Sequence, residues 1–250
     1  MPDLTVNQLS VGYKDRCVQR SLSFCLHSGE LLALLGVNGC GKSTLFKSIA
    51  GLIPTLEGSI HYAEADILQM DVKQKAKYIS LVLTERIAVQ HSTAYDIIAM
   101  GRYPYTSFMG TLTAKDREII ATIIQRMNIS FADKLFNALS DGEKQQVLIA
   151  KTLVQQTPII LLDEPTAHLD LPNRIKIFQI LQQIAQEQQK IVLISTHELD
   201  LALHYAHRIL LLTTFGEFYL DTPASIRQNN ILSKVFNMDM QAAGMKNLYG

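Results

Sequence analysis

The chain has 250 residues, 48% of them hydrophobic and 18% charged, with 23 basic and 23 acidic side chains cancelling to zero net charge. That length supports a substantial core, and the neutral balance excludes a global attraction to nucleic acid or anionic lipid. No apolar run approaches the roughly 18 residues that a membrane span requires.

The first residues, MPDLTVNQLSVGY, lack the charged start and apolar centre of a secretory signal. Cys17, Cys25 and Cys40 form no C-x-x-C pair, and so sparse a set suits a reducing compartment. A cytosolic protein is expected. LTVNQLSVGY and VQRSLSFCLHSGE alternate apolar and polar residues as antiparallel strands do, the second ending in a Ser28-Gly29 turn. Next comes LLALLGVNGCGKSTLFKSIA, an apolar strand, a glycine-rich loop and a helix that Gly51 and Pro54 terminate. The loop, Gly36 to Thr44, is the phosphate-binding pattern G-x-x-x-x-G-K-[ST] in its proper strand–loop–helix setting. Its glycines let successive N–H groups converge on an anion, and the helix adds its positive end. Lys42 is placed to reach the β- and γ-phosphates, and the Ser43 hydroxyl to ligate Mg²⁺. Cys40 stands at a position that the motif leaves free, so thiol modification is expected to affect the loop.

GSIHYAEADILQM reads as a further strand and turn, and DVKQKAKYISLVLTE as a short helix entering a strand at 78–83. Residues 93–135 change to 3–4 apolar spacing, with Thr113 as a helix cap, and form a helical insert within a subdomain of approximately 93–155. Gly101 and Pro104 are expected to break a helix and expose Tyr103 and Tyr105. The β/α alternation then resumes: a loop and helix at ALSDGEKQQVLIAKTLVQQ, a buried strand at PIILLDEP, a helix at IKIFQILQQIAQEQQ, and a second buried strand at IVLISTH. The tail carries a hairpin at RILLLTTFGEFYLD and a helix capped by Thr222 with Pro223 at its first position. His204 and His207, three apart on a predicted helix, would permit a metal pair but find no third ligand. The fold class is α/β: a P-loop core with a mainly parallel sheet, an antiparallel N-terminal layer and the helical insert. Residues 1–250 read as one unit.

Asp163 ends a buried strand, where a Mg²⁺ ligand beside the phosphate loop is wanted. Glu164 suits a general base for the attacking water. His197 ends the next strand, on the side where strand ends converge on a ligand crevice, and fits a γ-phosphate contact. Together with Leu139-Ser140-Asp141-Gly142-Glu143, these motifs resemble, in order and spacing, the nucleotide-binding subunit of an ATP-binding cassette (ABC) transporter, whose signature is Leu-Ser-Gly-Gly-Gln. The resemblance covers essentially the whole chain.

It implies an ATPase using ATP and Mg²⁺. Tyr13 would stack on adenine, and Gly36 and the stretch Asn38, Gly39, Cys40, Gly41, Lys42, Ser43 and Thr44 would wrap the phosphates. Ser140 and Gly142 would contact the γ-phosphate held by a second copy of the chain, with Asp170 at the seam of that ATP-sandwich homodimer. Asp141 and Glu143 depart from the signature and place acids near a triphosphate, which weakens closure unless they face solvent. At the family's Gln loop stand Thr84 and Glu85, and Glu85 would take the Mg²⁺-side role. Ile97 to Tyr105 and Ala167-His168-Leu169-Asp170 resemble importers for iron–siderophore, haem and cobalamin. The implied partners are transmembrane permease subunits, with a substrate-binding protein upstream and no nucleic acid, at the cytoplasmic side of the inner membrane. The alternative is a soluble cassette ATPase without a transporter, such as one serving iron–sulfur assembly.

Overall fold

The structure is a computed structural model that describes residues 3–14, 16–83, 89, 91–107, 110–167, 169–214, 216–229 and 231–236. Long alternating strands open the chain: β1 (Asp3–Tyr13) and β2 (Arg16–His27) pair antiparallel, and β1 pairs on its other side with β4 (Glu57–Tyr62), which carries the short β5 (Ala65–Asp66). The expected antiparallel layer is therefore present. Five short aliphatic runs build the second sheet: β3 (Leu31–Gly36), β6 (Ile79–Val82), β7 (Ile159–Asp163), β8 (Ile191–Ser195) and β9 (Arg208–Leu212). They lie parallel in the order β9-β3-β8-β7-β6, and β10 (Phe218–Asp221) closes the β9 edge antiparallel.

These strands are nearly continuous hydrophobic runs because both sheet faces are covered. Alternate residues serve opposite cores. Leu32, Leu34, Leu161 and Leu193 pack with Leu45 and Phe46 of α1 (Lys42–Ile49) and with the N-terminal sheet. Leu31, Ala33, Leu35, Leu162 and Ile194 face the other way. There they meet α3 (Ala94–Ala99), α5 (Asp141–Val154), α6 (Leu171–Gln188) and α7 (Leu199–Tyr205). The remaining helices are α2 (Val72–Tyr78), α4 (Ala114–Arg126), α8 (Pro223–Gln228) and α9 (Ile231–Phe236). Thr113 and Thr222 each cap the helix that follows, as their positions predict, and Thr93 caps α3 in the same way.

The helical insert is organised by one buried cation. Arg102 donates Nε–H to Asp116 at 2.8 Å and Nη1–H to the Val154 carbonyl at 2.7 Å, tying the segment at 100–105 to α4 and to the end of α5. Residues 100–105 do not break the helix outright. They tighten into a 3₁₀ turn that accommodates Pro104. Tyr103 is 56% exposed. Tyr105 lies over the Arg102 guanidinium, 4.1 Å from ring centroid to Cζ, and donates its hydroxyl to the Gln155 carbonyl. Burial pushes its phenol above the usual range.

His204 and His207 do not form a pair on one helix. The helix α7 ends at Tyr205, Ala206 is extended, and His207 turns away to accept the Leu31 N–H through Nδ1. Its Nε2 lies 3.0 Å from Gln186 Nε2.

Lys190, just before β8, is almost fully buried, and its ammonium donates to the Thr157 carbonyl. Burial lowers its pKa to about 8. The unfolded lysine titrates at about 10.4, so between these values the unfolded chain binds more protons and stability increases with pH. The Lys190→Met variant lacks this increment. Its stability relative to wild type, measured by urea unfolding, should therefore fall as pH rises from about 8 toward 10, by on the order of 3 kcal/mol over the full window. A pH-independent difference would show that Lys190 keeps its ordinary pKa in the fold and that burial does not penalise its charge.

Candidate functional site

The C-terminal ends of β3, β7 and β8 sit side by side. Leu34 and Asp163 flank Ser195 in register, so the loops that leave these strands share one edge of the sheet. The phosphate-loop pattern leaves β3 at Gly36, where the chain passes so near its neighbours that a Cβ would lie 2.6 Å from both Cys40 Sγ and Leu212 O. It returns at Gly41, whose φ of +103° is a left-handed conformation suited to glycine. No side chain caps α1, so its first-turn amides remain available to an outside anion. Lys42 is buried and its Nζ donates to the Gly36 carbonyl at 2.9 Å, which places the ammonium inside the curl of the loop. Asn38 and Gly39 are exposed, as is Ser43. Cys40 is 1% exposed and burial raises its thiol pKa, so it is a packing group against Gly36 and not the reactive cysteine expected from the motif.

Asp163, the last residue of β7, is buried and accepts a hydrogen bond from Ser195 Oγ at 2.6 Å. Glu164 follows at φ +50°, a costly backbone state for a residue with a side chain. Two bonds hold it there: its N–H donates to Ser195 O at 3.2 Å and to Ser195 Oγ at 2.9 Å. The turn aims the Glu164 carboxylate at His197, with 2.8 Å between Oε1 and Nε2, and both groups remain open to solvent. A carboxylate held beside an imidazole, one residue past a buried carboxylate, can take a proton from a water and pass it on.

Ser140 caps α5 in a reciprocal box with Glu143. The Glu143 Oε2 accepts from both Ser140 N–H and Ser140 Oγ–H at 2.8 Å, and the Glu143 N–H returns to Ser140 Oγ at 3.3 Å. These bonds lower the Glu143 pKa. Asp141 is exposed and faces Lys144 at 3.7 Å. Neither acid is buried. Gly142 packs on α6, where an added Cβ would lie 3.1 Å from Asn173 Cγ. Asp170 caps α6 by accepting the Asn173 N–H. Tyr13, at the end of β1, is 54% exposed. Glu85, Thr84 and His168 lie outside the described residues.

An ABC transporter family model matches residues 19–167, more than half of the chain. The chain belongs to the ABC transporter family. This ABC chain is 31% identical over 242 residues to the iron(3+)-hydroxamate import ATP-binding protein FhuC of Bacillus subtilis, across 96% of this chain and 90% of that protein. It is also 31% identical to the achromobactin transport ATP-binding protein CbrD of Dickeya dadantii, across 96% and 89% of the two chains. Among solved structures it superposes with a TM-score of 0.84 on one described as an inward-facing metal-chelate type ABC transporter, at 28% identity over 95% of this chain and 90% of that one. A dimeric ABC cassette with ADP and Pi, in a post-hydrolysis state, matches with a TM-score of 0.75 at 25% identity, over 88% and 98% of the chains. The ABC chain is an ATPase that binds ATP.

Three residues at this edge of the ABC fold escape motif reading. Gln19 of β2 is fully buried and donates Nε2–H to both Cys40 O and Thr213 O at 2.7 Å, anchoring the phosphate loop to the end of β9. Arg174 donates to Leu169 O and to Glu198 Oε1, both at 2.6 Å, linking the Asp170 turn to the residue after His197. Ser195 is the third, and it leaves a signal: a hydroxyl at the end of the aliphatic run IVLIS. Removing its hydroxyl strips a donor from Asp163 and an acceptor from Glu164 N–H. The Ser195→Ala variant should lose roughly 10- to 100-fold in ATP turnover, with Ser195→Thr restoring most of it. Unchanged turnover in Ser195→Ala would remove Ser195 from the site.

Proposed function

We propose that residues 1–250 form one ABC ATPase domain, with the helical subdomain at about 93–155, and that it hydrolyses ATP to drive a membrane importer of an iron chelate or cobalamin. The observation that carries this reading is the identity of 31% across 96% of the chain to proteins named for ferric hydroxamate import and achromobactin transport. Those names also weigh against a soluble, non-transport cassette. Among the described residues, no helix is long and apolar enough to cross a membrane. In this reading, which rests on the importer names of the relatives, attachment is peripheral, through permease subunits at the cytoplasmic side of the inner membrane, with a substrate-binding protein upstream and no nucleic acid. Exposed Tyr103, on a turn fixed by buried Arg102, supports the helical insert as the docking face.

The chemistry follows from the strand-end geometry. Tyr13 stacks on adenine, while Gly36 and Asn38 to Thr44 wrap the phosphates with backbone amides. Lys42 leaves the Gly36 carbonyl to neutralise the β- and γ-phosphate oxygens. Ser43 and buried Asp163 fit Mg²⁺ by their oxygen donors, with Glu85 as a further ligand, and the ion supplies charge neutralisation at the phosphates. Water attacks the γ-phosphorus in line and the bond to the ADP oxygen breaks, while Glu164 accepts the water proton. His197 fixes the Glu164 carboxylate and contacts the γ-phosphate. Ser140 and Gly142 of a second copy complete the site across the interface, with Asp170 at the seam. Loss of the γ-phosphate then removes the contacts that hold the two copies together.

The Glu164→Gln variant should bind ATP and accumulate as an ATP-dependent dimer by mass action. Its turnover should fall by about 10²- to 10⁴-fold, read by light scattering and phosphate release. Wild-type turnover in that variant would overturn the role of Glu164 as base. For the substrate class, a strain lacking this chain should lose uptake of a labelled ferric siderophore, haem or cobalamin; normal uptake of all three would sink this choice of substrate.

A further inference from the structure

The outer face of the N-terminal sheet carries a group of donors that the nucleotide chemistry does not use. In the β1–β2 ladder Asp3 stands opposite His27 and Thr5 opposite Cys25. Because side chains alternate along a strand, these four share one face, while Leu4, Val6, Phe24 and Leu26 point into the core. One ligand atom each from Asp3, Cys25 and His27 lies within 4.8 Å of the others. Asp3 Oδ1 and His27 Nδ1 are already 2.9 Å apart. The nucleotide edge lies at the other end of the strand: nine residues, at most about 33 Å of extended chain, lie between Asp3 and Tyr13.

We propose that Asp3, Cys25 and His27 form a binding site for a borderline divalent cation of the Zn²⁺ type. The donor set is one oxygen, one sulfur and one nitrogen, which suits zinc or cobalt far better than magnesium or calcium. Three protein ligands leave a fourth position for water. Bond lengths of about 2.0–2.3 Å put neighbouring tetrahedral ligands roughly 3.3–3.7 Å apart, so about an ångström of side-chain rotation, which also opens the Asp3–His27 pair from its 2.9 Å, completes the set. Such rotation is available, since Asp3 and Cys25 are half-buried and His27 is exposed. The backbone beneath is fixed: Arg208 donates to Cys25 O at 2.7 Å and the His27 N–H donates to Glu30 Oε2 at 2.9 Å. Thr5 Oγ1 already lies 3.7 Å from Cys25 Sγ as a donor, an outer-shell contact of the kind that steadies a thiolate ligand. On binding, Cys25 releases its proton to solvent, and the thiolate and the Asp3 carboxylate together neutralise the dication.

The test uses the untagged, nucleotide-free full chain, freed of metal by chelation and titrated with Co²⁺. One equivalent should produce a thiolate-to-cobalt charge-transfer band that Zn²⁺ displaces. Cys25→Ser should abolish the band and His27→Ala should weaken Co²⁺ binding at least tenfold. Cys17→Ser, Cys40→Ser and Asp163→Asn should leave it intact. Zn²⁺ should also raise the unfolding temperature of wild type and not of Asp3→Asn. Absence of the thiolate band at one equivalent, or its survival in Cys25→Ser, would reduce the cluster to an ordinary surface ion pair between Asp3 and His27.

Discussion

A loop that turns most of its amide hydrogens toward one external anion has few to spend on its own structure; here the Cys40 N–H donates to the Val37 carbonyl within the loop. The loop's shape must be imposed largely from outside. In this chain Gln19 supplies much of that constraint, since a single buried amide grips the Cys40 carbonyl on one side and the Thr213 carbonyl on the other. Gly36 passes against Leu212 with no room for a side chain, and buried Cys40 fills the space behind it. The phosphate loop is thus clamped between β2 and the end of β9 before any nucleotide arrives. Preorganisation of this kind spares the binding step the cost of ordering the loop.

The second half of the site rests on the same logic. Glu164 is held in a left-handed backbone state by the strand beside it, and the same Ser195 hydroxyl that accepts its N–H donates to Asp163. One oxygen therefore sets the positions of two carboxylates to which the proposed mechanism gives different tasks. Arg174 extends the bracing from the Asp170 turn to Glu198, next to His197. The reacting groups sit on turns, but each turn is pinned to a buried strand or helix.

Local patterns made much of this legible before the structure. The phosphate loop, the strand end at Asp163 and the run into His197 are contiguous motifs whose geometry follows from a few adjacent residues. However, β8 stops at Ser195 and His197 lies on the turn beyond it, not at the strand end the sequence implies. The alternation in LTVNQLSVGY and the aliphatic run IVLIS announced an antiparallel layer and a buried parallel sheet for the same reason. The bracing residues were hidden because their partners are remote: Gln19 meets Thr213 across 194 positions and Ser195 meets Asp163 across 32. Sequence spacing also misled where a helix stops early. His207 keeps helical spacing from His204, yet α7 has ended by then and the ring belongs to the start of β3. Cys40 is invisible as a core residue in the sequence because only the folded loop puts it behind Gly36. The 3₁₀ turn at 100–105 depends on Arg102, whose partners lie on two other helical segments.

The capping box at the start of α5 has a consequence for traffic in hydrogen bonds. The Ser140 hydroxyl hydrogen is already directed at Glu143, and the same glutamate oxygen also takes the Ser140 amide. That hydroxyl can therefore serve an acceptor from another molecule only by swinging off its own helix cap. A glutamine at position 143 would compete for it without a full charge, whereas the carboxylate competes with one. If assembly runs through this segment as proposed, it exchanges one anionic acceptor for another, and its driving force is the difference between two similar bonds rather than the whole of one.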